Sequence, residues 1–237
     1  MKQANINFIV FILLLFTVKI VSAQHSELGF MGGLAYYTGE LNPSPNPQNK
    51  TRPMLGVFFR RNLNYRYSLR FGANAAQIAA EDKQKTNESF ENFETRNLSF
   101  SGNLLDAYGV LEFNFIPYQI NNSASKFTPF VFIGIAGYYV AQKIENTKLN
   151  STQESSLTSL ALPFGAGLKF NFVQNIGMTI EWTYRKTFTD KFDGLGETHF
   201  NGVQLSNSGN KDWYSFINLT LSYKFLRKRD VCAMPVN

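Results

Sequence analysis

The chain has 237 residues, 44% of them hydrophobic and 15% aromatic, with 23 Phe and 11 Tyr. Its mean hydropathy of −0.19 excludes a bundle of membrane helices. Its net charge of +6, of which Lys2 and Lys19 carry two and leave +4, is too small and too scattered for a nucleic-acid-binding protein.

Residues 1–23 are laid out as a secretory signal peptide. Lys2 gives a basic start, Phe8 to Phe16 an apolar core, and Val21-Ser22-Ala23 a small-residue cleavage site before Gln24. The apolar run is shorter than the ~20 residues of a spanning helix, and no cysteine follows the cleavage site to carry a lipid. Membrane residence would therefore have to come from strands.

Eight segments of period two follow. The first runs from about Glu27 to Glu40, then a Pro-rich connection (Leu41 to Pro53) leads to the second, Met54 to Arg61. Asn62 to Tyr65 makes a tight return into the third, Tyr67 to Ala80. A polar loop, Glu81 to Arg96, precedes the fourth, Asn97 to Pro117, and Tyr118 to Lys126 leads to the fifth, Phe127 to Lys143. A polar loop over Ile144 to Ser156 precedes the sixth, Leu157 to Val173. Gln174-Asn175-Ile176 turns into the seventh, Gly177 to Asp190, and the loop Lys191 to Asn210 leads to the eighth. In that last segment Trp213, Ser215, Ile217, Leu219, Leu221, Tyr223 and Phe225 alternate with Asn218, Thr220, Ser222 and Lys224.

Long and short connections alternate. That parity fits a barrel spanning an outer membrane, with turns on the periplasmic side and loops outside; a two-layer sandwich has no reason for it. The expected fold is all-β: an eight-stranded antiparallel transmembrane β-barrel of OmpA/OmpX size over residues 24–225, with a short basic tail, 226–237. Both termini would lie in the periplasm of a diderm bacterium. The main alternative is a soluble lipocalin-type barrel. Rows such as Leu105, Ala107, Gly109, Leu111, Phe113, Phe115 and Met178, Ile180, Trp182, Tyr184 are too continuously apolar for it.

Eight strands enclose a space that side chains just fill. Gly29, Gly33, Gly56, Gly72, Gly134, Gly165 and Gly167 are expected to face inward and leave room for bulkier neighbours. Inward charges must pair, so a structural network is expected in the lumen. Arg70, Glu112, Lys169 and Glu181 should lie in its periplasmic half, Asp106 and Arg185 nearer the outer half, and Lys224 near the periplasmic rim.

Chemistry is harder to place. A Ser–His–acid site needs a histidine beside a serine and an orienting carboxylate. His25-Ser26-Glu27 is expected in a flexible N-terminal segment and His199 in a Gly- and Asn-rich loop. Asp190, Asp193, Glu197 and His199 match no zinc or EF-hand spacing. Cys232 is the only cysteine and has no base nearby in sequence. The reading is of a protein that is not an enzyme and needs no metal or cofactor. Arg227, Lys228 and Arg229 in the tail are the candidate contact for a periplasmic partner.

Several segments resemble, in order, the PorG-like family of small outer-membrane barrels. They are Glu27-Leu28-Gly29, Tyr37-Thr38-Gly39-Glu40-Leu41-Asn42-Pro43, Arg60-Arg61-Asn62-Leu63-Asn64, Asn97-Leu98-Ser99-Phe100, and Leu111-Glu112-Phe113-Asn114-Phe115 with Pro117-Tyr118. Phe127-Thr128-Pro129-Phe130, Pro163-Phe164-Gly165-Ala166-Gly167-Leu168-Lys169, Tyr184-Arg185-Lys186-Thr187-Phe188-Thr189-Asp190 and Asp212-Trp213-Tyr214 complete the set. The resemblance implies a structural component of the type IX protein secretion system, linked through it to gliding motility in some bacteria. It implies a barrel among outer-membrane lipids that contacts a periplasmic ring formed by a lipoprotein and its soluble partner. The alternative is an OmpA/OmpX-type barrel that binds ligands or surfaces through its outer loops.

Overall fold

The computed structural model describes residues 26–38, 51–81, 98–122, 125–146, 151–189, 199–200, 203–204 and 213–225. The expected signal peptide, the tail with Arg227, Lys228, Arg229 and Cys232, and His25, Asp190, Asp193 and Glu197 lie outside these residues.

Eight strands form the wall: β1 Ser26–Thr38, β2 Arg52–Asn62, β3 Tyr67–Glu81, β4 Leu98–Asn114, β5 Phe127–Asn146, β6 Ser151–Val173, β7 Ile176–Thr187 and β8 Trp213–Phe225. Each pairs antiparallel with its sequence neighbour. β1 also pairs with β8, from Ser26 opposite Phe225 to Thr38 opposite Trp213, which closes the sheet into a barrel. Closure satisfies every strand edge internally, as a wall facing hydrocarbon requires.

Period two then sorts the side chains. Outward positions carry Leu55, Ile135 and Leu160, which are 70%, 74% and 64% exposed. Leu28, Phe30, Phe71, Leu105, Leu111, Ile180, Leu219 and Leu221 extend this apolar surface around the wall. A continuous belt of this kind is far larger than the apolar patches of soluble proteins, and it is the lipid-facing wall of an outer-membrane barrel. Near the long-loop end the belt carries polar aromatics. Trp182 Nε1 donates to the Tyr36 hydroxyl at 2.8 Å, and the small, buried Ser215 lies between Tyr36 and Tyr184 in register.

Inward positions pack a core of Met31, Phe58, Tyr108, Phe130, Phe132, Tyr138, Val140, Tyr214 and Phe216. The inward glycines make that density attainable. A Cβ on Gly29 would collide with the Phe58 ring and one on Gly72 with Tyr108. At Gly33 and Gly134 the obstruction is backbone, the Ile217 and Gly109 carbonyls respectively, which cannot swing aside.

Several boundaries differ from the sequence reading. β4 stops at Asn114 rather than Pro117: the Phe115 N–H still reaches the Pro129 carbonyl, but Pro117 has no N–H to continue the ladder. The polar loop expected over 144–156 is mostly strand, with only 147–150 between β5 and β6. Ser, Thr and Gln side chains tolerate a solvated strand, and Lys143 lies opposite Glu154 across it. Connection length therefore does not follow strict parity. β7 ends at Thr187, and His199–Phe200 pairs with Val203–Gln204 as a short ladder, so His199 is not simply in a loop.

Candidate functional site: a lumen closed by charge

The side chains with chemistry converge inside the barrel. Glu112, fully buried on β4, is the centre of the larger group. It receives Lys169 Nζ at 2.6 Å, Arg70 Nε at 2.7 Å and Arg60 Nε at 2.9 Å. Arg60 reaches on to Glu27 at 2.7 Å, and Arg70 to Glu181 at 2.7 Å. Three carboxylates thus meet three cations, so the group is neutral and no unit charge is left buried. Amides add hydrogen bonds: Asn62 Nδ2 donates to Glu27, Asn218 Nδ2 to Glu181, and Lys169 Nζ to Asn114 Oδ1. The cations also lie over rings, Lys169 at 4.4 Å from Phe130 and Arg70 at 5.0 Å from Phe132.

A second group sits toward the long loops. Arg185 grips Asp106 through Nε and Nη2, both at 2.9 Å. Asp106 also accepts from the Tyr214 hydroxyl at 3.0 Å and from Asn74 Nδ2 at 2.9 Å. Arg185 lies 4.5 Å from the centre of the Phe216 ring. Between the groups, Arg70, Asn74, Tyr108, Glu181 and Arg185 line a void of about 10 Å³, room for at most about one water.

The structure therefore places Arg70, Glu112, Lys169 and Glu181 in one group and Asp106 with Arg185 in another. Lys224 lies at the short-turn rim, where its Nζ donates to the Ile120 carbonyl at 3.0 Å. Two members were not read from the sequence. Arg60 shares parity with inward Gly56, and Glu27 shares parity with Gly29. Glu27, expected to open the first strand and yet to lie in a flexible N-terminal segment, is the second residue of β1, buried and anchored by Arg60 and Asn62.

Below the larger group the connection 115–126 folds across the short-turn mouth. Tyr118 and Ile120 are buried there. Asn171 Nδ2 donates to the Gln119, Asn122 and Ser125 carbonyls, Tyr118 N to the Tyr65 carbonyl, and Ser125 Oγ to Pro117 O. Asn121 takes a φ of 67°, a left-handed conformation that asparagine tolerates. Burial pushes the Tyr118 phenol well above its usual range. At the opposite end, β2 to β6 form an open cleft of about 780 Å³ lined by Arg52, Gln77, Asn103, Gln142, Lys143 and Glu154. Among the described residues, no three His, Cys, Asp or Glu side chains converge as a metal site.

A family model described as a domain of unknown function (DUF6089) matches residues 6–234. No curated protein matches the sequence significantly. Among solved structures, the chain is similar to a major outer membrane protein from Thermus thermophilus, at 13% identity and a TM-score of 0.49 over 84% of this chain and 99% of that one. It is also similar to Ail, the attachment invasion locus protein of Yersinia pestis, solved with the heparin analogue sucrose octasulfate. That match has 12% identity and a TM-score of 0.47, over 86% and 100% of the two chains. The N-terminal β-barrel domain of Pseudomonas aeruginosa OprF matches at 14% identity and a TM-score of 0.42, over 84% and 97%.

Proposed function

The chain belongs to the DUF6089 family, and from that premise we propose that it is a non-enzymatic structural barrel of the outer membrane that works through its rims. The carrying observation is the filled lumen. Two neutral charge groups and an aromatic core occupy the cylinder, and the connection 115–126 folds over one mouth. Among the described residues such a cylinder offers no path for solute and no solvated acid–base pair for catalysis. What it offers is a rigid ring with two faces.

We assign the short-turn rim to the periplasm and the long loops to the cell exterior, a reading supported by the even strand count and by the signal-peptide pattern expected at the N-terminus. The rim with the folded connection is then the docking face. The sequence resemblance to the PorG-like family gives the partner: the periplasmic ring of the type IX secretion system, with its lipoprotein and soluble partner. Arg227, Lys228 and Arg229, which begin two residues after Phe225 in the sequence, are the proposed cationic contact. The alternative is a surface barrel binding ligands through the long loops, favoured by the open polar cleft at that end.

The two readings separate by side. Deleting residues 226–237 should abolish co-purification of periplasmic ring proteins from detergent-solubilised membranes, while the barrel still shows heat-modifiable gel migration. Shortening the Lys191–Asn210 loop should leave that association intact. Ring association that survives the tail deletion and fails on loop shortening would reverse the assignment.

A further inference from the structure

Beside the two charge groups, Asn74 Oδ1 and Arg185 Nη1 are buried polar atoms with no hydrogen-bond partner in the protein. Their side chains are only 4% and 2% exposed. Asp106 fixes how both are turned. Asn74 Nδ2 and Arg185 Nη2 each donate to Asp106 Oδ1 at 2.9 Å, and Arg185 Nε donates to Asp106 Oδ2 at 2.9 Å. Turning the Asn74 amide over would set its oxygen against the Asp106 carboxylate, two acceptors in contact, so Oδ1 is the end turned away. Gly56 leaves room for it there, since a Cβ on Gly56 would collide with Asn74 Oδ1. Arg185 likewise commits one edge of its guanidinium to Asp106, which leaves Nη1 on the other.

Asn74 and Arg185 both line the void of about 10 Å³ between the groups, together with Glu181 from the larger group. That volume is about the least that holds one water. Whatever occupies it meets two opposite demands, because Asn74 Oδ1 needs a donor and Arg185 Nη1 needs an acceptor. Charge sets a further condition. Asp106 and Arg185 cancel, and the larger group pairs three carboxylates with three cations. A chloride would accept from Arg185, but it would leave Asn74 Oδ1 unmet and add an uncompensated buried charge. A sodium ion would face the Arg185 guanidinium. Only a neutral molecule that both donates and accepts satisfies all of these conditions, and at this volume it is water.

We propose that the void is a binding site for one structural water, which accepts from Arg185 Nη1 and donates to Asn74 Oδ1. Its second hydrogen goes to the Glu181 carboxylate. That carboxylate takes Arg70 Nη1 at 2.7 Å and Asn218 Nδ2 at 3.2 Å and has lone pairs left for a third donor. Three hydrogen bonds are the usual complement of a buried water. The water joins the Asp106 group to the Glu112 group, so that two clusters become one hydrogen-bonded column along the lumen. The site depends on the lumen alone, and neither the orientation of the barrel nor what docks on its rims enters into it.

The test is a crystal structure of the full-length protein, folded in detergent, at a resolution that shows ordered water. One peak is expected in the void, about 3 Å from both Asn74 Oδ1 and Arg185 Nη1. A void without a peak overturns the site. So does an anomalous bromide signal there after a bromide soak, which would identify an anion instead. N74L keeps the shape of the side chain and removes its acceptor; it should lose the peak while Arg185 stays on Asp106. A peak of undiminished height in N74L overturns the role of Asn74. In solution, water relaxation dispersion should count one long-lived water fewer in N74L than in the unaltered protein, and an equal count also overturns the site. Heat-modifiable migration shows whether N74L folds. If it does not, the peak and the bromide soak in the unaltered protein decide the matter.

Discussion

Glu112 carries more of the lumen than any other single side chain, because Arg60, Arg70 and Lys169 all converge on it within 2.9 Å. Glu112→Ala would leave Arg60 with Glu27 alone, Arg70 with Glu181 alone, and a net positive charge in a closed space. Breaking a buried pair from one side costs about 3–5 kcal/mol. The expected outcome is a correspondingly lower urea midpoint for unfolding from lipid vesicles, read as loss of the fast-migrating folded band. A loss below about 1 kcal/mol would mean that water reaches these cations. Parity of the inward positions made Arg70, Glu112, Lys169 and Glu181 legible as lumen charges. The same parity reaches Arg60 and Glu27, but Arg60 adjoins Arg61, which obscures which cation turns inward, and Glu27 sits where a chain end was expected to fray. Which cation meets which carboxylate was not legible, since partners such as Arg70 and Glu181 lie 111 residues apart.

At the scale of elements, the connection 115–126 matters most. It contains no long apolar run, and its order comes from elsewhere: Asn171 on β6 donates to three of its carbonyls, and Lys224 on β8 to a fourth. Sequence reasoning saw only a shorter connection, Tyr118 to Lys126, because bonds from distant strands leave no local pattern. Asn171→Ala should release the connection while leaving the wall intact. Amide hydrogen exchange across residues 116–126 should accelerate by at least tenfold, as expected for losing about 1–3 kcal/mol of buried acceptor satisfaction, with exchange in β4 and β5 unchanged. Equal acceleration throughout the wall would show that Asn171 supports the whole barrel. The β5–β6 hairpin was misjudged for a different reason. Its outer half is rich in Ser and Thr, a composition shared by loops and solvated strands, and only cross-strand pairing decides between them.

At the scale of the whole molecule, the alternation of side chains was sufficient to read an eight-stranded closed barrel, because one period-two pattern specifies both the apolar wall and the filled interior. The closed antiparallel sheet and the apolar belt agree with that architecture. The interior that results is the basis for assigning function to the rims. The most direct measurement is the ionic conductance of the full-length protein in a planar bilayer, with folded insertion verified by heat-modifiable migration. A lumen filled by the Glu112 and Asp106 groups predicts no steady current steps at either polarity. Reproducible single-channel steps from the folded barrel would contradict a closed cylinder, and with it the assignment of function to the rims.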